Sequence, residues 1–269
     1  MKPEYEIAIH LQRANRALRV ISEFNQRLVR ADKEQELLDV ICRILVKIGQ
    51  YRFAWVGFAR QDRAGTVQPV AQFGFEDDYL EKIKISWRDN RYGRGPTGRA
   101  IRGKKPAVSR NILTDPNFAP WRKEAIMRGY ASSIALPLVQ ENLVLGALNI
   151  YAKEPEAFDA DEVKLLTELA NDLTFGILSL RGRREKEETQ KKLQESEEKF
   201  RSLVEESLVG VYLIQDGVFK YVNPKFAGVR TNSRLRLPAV RWSEIIFSVR
   251  FRMCLFADCL VTTSHWSPP

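Results

Sequence analysis

Three consecutive segments decide the fold: YGRGPTGRAIRGKKPAVSRNI (Tyr92–Ile112), DPNFAPWRKEAIMRGYASSIALPLV (Asp115–Val139) and ENLVLGALNIYAKEPEAF (Glu141–Phe158). The first suits a glycine-permitted turn running into a helix, with Pro96 in the first helical turn, where a missing N–H costs nothing. PAVS (Pro106–Ser109) reads as a short strand. FAPWRKEAIMRGY reads as a helix ended by Gly129. ASSIALPLV and LVLGALNIYA alternate or run apolar around Glu141-Asn142, the pattern of a hairpin.

Working outward, RFAWVGFAR (Arg52–Arg60) and VQPVAQFG (Val67–Gly74) read as paired strands joined by QDRAG, and DDYLEKIKI (Asp77–Ile85) as a short helix or irregular connection. A helix over Lys33–Ile48, with Asp32 as N-cap, carries a core-facing band of Leu37, Val40, Ile41, Ile44, Leu45 and Ile48. A long helix beginning near Asp159 buries Val163, Leu166, Leu169, Ala170, Leu173 and Ile177. Beyond Leu180 the same register meets charges, so the helix becomes a linker. These elements predict an α+β fold, a central antiparallel sheet flanked by helices.

Residues 5–30 read as a single helix. Ile7, Leu11, Ala14, Leu18, Ile21 and Leu28 recur at alternating spacings of four and three, with Asn25 the polar member. This is the seam of a coiled coil, and it also suits an amphipathic helix lying on its own domain. Self-association is the favoured expectation: a homodimer through the N-terminal and exit helices.

Composition bounds the function. The chain has 269 residues and a net charge of +9, of which +4 falls in residues 230–269; elsewhere basic residues alternate with acids along helices. That is a solvated face rather than a nucleic-acid footprint, so no specific nucleic acid is expected as a partner. No apolar run approaches a membrane span. The N-terminus has no signal-peptide core. Cys42, Cys254 and Cys259 have neither metal nor disulfide spacing, which suits a reduced, cytoplasmic setting.

Residues 32–178 resemble a GAF domain. The segments RFAWVGFA, GRGPTGRAI, PNFAPWRKEA, SSIALPLV, LGALNIYA and FDADEVKLLTELA follow one another in the order of that family. From Glu197, SEEKFRSLVEESLVGVYLIQDGVFKYVNPKFA is similar to the start of a PAS domain, with a hairpin around Gln215-Asp216-Gly217. The resulting organisation is an N-terminal helix (1–31), a GAF domain (32–178), a charged linker helix (179–198), a partial PAS domain (197–228) and a tail (229–269). That tail has no glycine and no lysine in 41 residues and is read as foreign to the domain, as from a shifted frame. The order is similar to the input halves of bacterial sensor histidine kinases and diguanylate cyclases.

The GAF resemblance implies a small-molecule pocket between the sheet and the loop-helix segment. Its lining would draw on Trp55, Phe73, Trp87, Phe118, Trp121, Ser132, Ser133 and Asn149, with Asn111 and Arg122 meeting an anionic ligand. Each aromatic has a core packing role as its alternative, and Ser132-Ser133 a role at a sheet edge. The only histidines are His10 and His265, outside the domain, which disfavours covalent bilin and histidine-ligated haem. Asn149, Phe158, Asp161 and Glu162 partly match the cyclic-nucleotide pattern of the family, but Ile150 stands where that pattern has lysine. GRGPTG lacks the Lys-Ser/Thr of a P-loop. Free methionine sulfoxide reductases share the fold but use active-site cysteines. No kinase or cyclase signature is present, so a sensing module is expected, with a dimerisation scaffold or an inactive sensor fragment as alternatives.

Overall fold

The computed structural model describes residues 3–74, 78–215 and 218–228, together with the strands Arg252–Met253 and Thr262–Thr263; for residues 3–10 it describes the backbone. The chain divides into two compact units, Met1–Arg184 and Glu185–Pro269.

The first unit is built on a five-stranded antiparallel sheet. Its strands are β1 (Phe53–Ala59), β2 (Val67–Gly74), β3 (Ala107–Ser109), β4 (Ser132–Gln140) and β5 (Leu143–Ala152), in the order β2-β1-β5-β4-β3. Side chains alternate between faces along each strand. Ala54, Val56, Ile134, Leu136, Leu138, Leu148 and Ile150 face one way, into a core shared with α1 (Pro3–Leu28), α2 (Glu34–Lys47) and α6 (Ala160–Glu205). Phe53, Trp55, Ala147 and Tyr151 face the other way. There they meet α3 (Tyr79–Lys82), α4 (Pro96–Gly103), α5 (Arg122–Met127) and their connecting loops. One sheet thus separates two chemically different layers, aliphatic on the helix side and aromatic on the loop side. This is the expected α+β architecture.

Local signals explain the element ends. Pro96 occupies the start of α4, and Gly129, at φ +70°, stops the chain after α5. The Asp159 carboxylate accepts from Glu162 N at 2.9 Å, capping the exit helix. Where a helix was expected through Phe118–Tyr130, a single 3-10 turn (Pro116–Phe118) precedes the six-residue α5, because Pro120 interrupts the run. Asp32 does not cap α2. Lys33 holds the N-cap position with no side-chain hydrogen bond, and Asp32 instead pairs with Arg183 at 3.3 Å.

Helix α1 lies on its own domain. Ala17, Val20 and Phe24 are buried in the helix-side core, while Leu11, Leu18 and Asn25 face outward. The buried stripe is rotated from the expected seam, because α6 and α2 supply its partners. A polar clamp reinforces this docking. Arg16 donates through Nε to Glu162 Oε1 at 3.0 Å and through its terminal nitrogen to the same oxygen. The Tyr51 hydroxyl donates to it at 2.7 Å, and the Arg16 guanidinium stacks 4.4 Å above the Tyr51 ring. Glu162 is fully buried and its Oε2 has no partner.

In the second unit, β6 (Val211–Gln215) and β7 (Val218–Val222) form the expected hairpin, and α7 spans Pro224–Gly228. The buried Asn223 organises it: Oδ1 accepts from Val211 N and Phe226 N, while Nδ2 donates to the carbonyls of Val204 and Val209. The strands β8 (Arg252–Met253) and β9 (Thr262–Thr263) extend the sheet. The rest of the 229–269 tail lies outside the described residues.

Candidate functional site

The loop-side face of the sheet encloses a cavity of about 10 Å³, lined among others by Tyr79, Tyr92, Thr97, Phe118, Trp121, Ser133, Asn149 and Tyr151. Such a volume holds about one water. Strand register brings the polar groups together. On this face Ser109, Ser133 and Tyr151 form one cross-strand row, and Ala135, Asn149 and Trp55 form the next. From above, α4 contributes Thr97, whose Oγ1 donates to Asn149 Oδ1 at 2.7 Å.

Two glycines make this layer possible. A Cβ at Gly98 would fall 2.1 Å from the Gly93 carbonyl oxygen, and one at Gly95 would fall 2.3 Å from the Trp121 ring. The glycine-rich run is therefore selected here for close packing. With its Nε1 donating to the Lys84 carbonyl at 2.8 Å, Trp121 lies across Gly95 and closes the cavity.

Several buried donors are left over. The Nε1 of Trp55 and the hydroxyls of Tyr79, Ser109 and Ser133 have no hydrogen-bond partner. The Tyr151 hydroxyl is near enough to Trp55 and Tyr79 to feel both, yet neither reaches it with hydrogen-bond geometry. Burial pushes the ionisation of Tyr79 and Tyr151 upward, so both stay neutral phenols at neutral pH. An unsatisfied buried polar group costs about 1–3 kcal/mol, so four on one face are a local debt of fold stability.

Four expected site residues, Phe118, Trp121, Ser133 and Asn149, do line the cavity. Trp55 lies beneath it in the aromatic cluster. The others do not converge. Phe73 faces the helix layer, with the cations of Arg43 and Lys47 against its ring. Ser132 points oppositely to its neighbour Ser133 and donates to the Glu154 carbonyl at 2.7 Å. Trp87 braces a surface loop through the Arg60 carbonyl. Asn111 accepts from Leu113 N, and Arg122 donates to the carbonyls of Ile112 and Asp115, so both are spent on one turn. Nor do the partial cyclic-nucleotide residues meet: Phe158 and Glu162 are in the helix layer, and Asn149 is across the sheet. Tyr79, Tyr92 and Thr97 line the site without having been singled out; Tyr79 sits in a segment with no periodicity to mark it.

A GAF domain family profile matches residues 31–177. The chain belongs to the GAF domain family. Its fold is similar to a free methionine-R-sulfoxide reductase from Neisseria meningitidis, solved with its substrate, at 17% identity and a TM-score of 0.52, covering 63% of this chain and 93% of that one. It is also similar to the GAF domain of a phosphoenolpyruvate-protein phosphotransferase from Coxiella burnetii, at 18% identity and a TM-score of 0.51, covering 63% and 97%. The corresponding Acinetobacter domain aligns at 14% identity and a TM-score of 0.50, again covering 63% and 97%. The search of curated proteins returned no match. At these identities the likeness establishes the GAF fold, and that fold hosts both binding modules and an enzyme, so chemistry has to be argued from the site. Cys42 is buried in α2 on the helix side of the sheet, with its thiol ionisation pushed up by burial, and cannot serve the cavity as a thiolate. Among the described residues no helix is long and apolar enough to cross a membrane.

Proposed function

We propose that this GAF domain is a cytoplasmic sensor that binds a small molecule in the loop-side cavity and relays the event along α6. The observation that carries this reading is the unpartnered hydroxyls of Tyr79 and Ser133 on residues lining a cavity sized for one water, with the unpartnered Trp55 Nε1 and Ser109 hydroxyl on the same face of the sheet. A domain selected only as a scaffold gains from replacing such groups by apolar ones; a domain selected to bind an acceptor-bearing ligand keeps them. With so little free volume, a ligand enters only by displacing the wall, and that displacement is the signal. Binding shifts the population between closed and expanded arrangements because the ligand fits only one. The small free volume also favours a second reading, a dimerisation scaffold whose pocket is filled by its own side chains.

The exit helix supports the relay. It runs unbroken from Ala160 to Glu205, from the domain core into the charged linker. Exposed Leu11 and Leu18 on α1 and Phe175 on α6 leave apolar surface for a second copy, as the homodimer expectation requires. The hairpin after Glu205 is read as the start of a PAS domain, which makes this chain the input part of a two-component sensor. Native mass spectrometry of the full chain tests both readings. A retained small molecule, or a saturable thermal shift with a metabolite library, supports the sensor. Ligand-free dimers with no shift to any compound support the scaffold.

A further inference from the structure

We propose that the cavity takes a small aromatic monocarboxylate, its carboxylate held at the start of α4 and its ring against the aromatic wall. This rests on the ligand-sensing reading above and names the ligand class. The carboxylate end is built from three kinds of donor. The N-cap of α4 is Gly95, with no side-chain cap, and Pro96 brings no N–H. As first-turn residues of α4, Thr97 and Gly98 have amides with no intrahelical acceptor, and both residues line the cavity, where the helix dipole favours negative charge. The Ser133 hydroxyl, on a side chain only 3% exposed, is unpartnered on the opposite wall, as is the hydroxyl of the fully buried Tyr79.

Charge sets the valence. Among the described residues none that lines the cavity carries a charge, and the buried Arg128 that lies over the Tyr79 ring is paired with Glu124. A dianion such as a phosphate monoester would be buried with no counter-ion, whereas a monoanion can be met by dipoles and hydroxyls. A cation would find no carboxylate among the described lining residues. The remaining wall, which includes Phe118, Trp121 and Tyr151, offers ring faces and edges for one planar group.

Access points the same way. A groove of about 990 Å³ lies outside the cavity, and Ile83, Ile85 and Tyr92 line both. The half-buried Tyr92 ring is the part of this shared wall whose displacement would let a ligand pass. Among the described residues that line the groove, Arg60 and Lys84 outnumber the acid Asp62, which keeps its charge while accepting from Thr66 N. The approach is therefore positive, which steers anions inward.

The test uses the full chain and calorimetric titration with benzoate, phenylacetate and indole-3-acetate, each beside its primary amide, and with phenyl phosphate. The expected result is saturable binding of at least one acid, about tenfold or more tighter than its amide, as befits hydrogen bonds to a charged acceptor. Phenyl phosphate should bind more weakly. Ser133→Ala should weaken the acid about tenfold while leaving the fold intact, since it only removes an unpaired hydroxyl. Amides binding as well as acids would overturn the carboxylate assignment and leave the ligand-sensing reading standing. Acid binding indifferent to Ser133→Ala would place the anion elsewhere and overturn the site. No binding by any compound overturns the ligand class, and the native mass spectrum then decides whether the sensing reading falls with it.

Discussion

Replacing Arg16 by methionine tests whether α1 is an integral part of the GAF domain. The substitution keeps most of the side-chain length over Tyr51 but removes the cation from a carboxylate that is 0% exposed. A unit charge pair about 4 Å apart at an effective dielectric of about 20 is worth about 4 kcal/mol, part of which returns because Arg16 is no longer desolvated. Removing one partner of a buried pair costs about 3–5 kcal/mol when the other stays charged. At pH 7 Arg16→Met should therefore lose about 3 kcal/mol, or about 10 °C in melting temperature for a unit of this size.

The pH dependence separates this cause from lost packing. Burial holds the Glu162 pKa above its ordinary value, and Arg16 opposes that rise. Stability linked to a raised pKa is complete below the unfolded value of about 4.3 and is lost as pH climbs through the native one. Without Arg16 the native value rises further, so a larger share of the variant's Glu162 is neutral as pH falls and its deficit shrinks toward pH 5. Thermal unfolding by circular dichroism from pH 5 to pH 8 measures this, with Glu162→Gln and the double variant closing the cycle. The double variant should recover more than half of the loss. An equal deficit at pH 5 and pH 8, or a loss below about 1 kcal/mol, would refute the electrostatic account.

Three further outcomes follow from the geometry. Ser133→Ala should raise the melting temperature of the ligand-free protein by about 1–3 °C, because an unsatisfied buried hydroxyl disappears; a fall of the same size contradicts the orphan assignment. Gly98→Ala should cost more than about 3 kcal/mol in denaturant titration, since its Cβ would lie 2.1 Å from a backbone oxygen that cannot yield. Asn223→Ala should strip amide-exchange protection from Val211 and Phe226 while leaving residues 32–178 protected, because one side chain holds both amides in the second unit.

Much of the fold could be read in the chain because the sheet has two buried faces of different character. β2 runs over the expected Val67–Gly74, and the hairpin turns at Glu141-Asn142, where Glu141 adopts φ +53°. Strand parity could also have sorted the two serines. Ile134, Leu136 and Leu138 are bulky and belong with the helices, which sends Ser132 their way and Ser133 toward Ala135 and the cavity. What sequence could not supply was the destination of groups whose partners are distant backbone carbonyls. Arg122 and Trp87 look like ligand groups until their acceptors are known. Helix α1 shows the same limit: Ala17, Val20 and Phe24, on a face beside the expected seam, pack within their own domain, and Leu11 and Leu18 of the seam stay exposed.

The shared wall of Ile83, Ile85 and Tyr92 has a consequence in time. When a compartment must open before it can fill, the observed rate of occupation stops rising with concentration and levels off at the rate of opening. A stopped-flow trace would then show saturation rather than a straight line. In a sensor of the proposed kind, such a gate would act as a low-pass filter: brief pulses of a compound would pass unrecorded, and only exposure longer than the opening time would be registered.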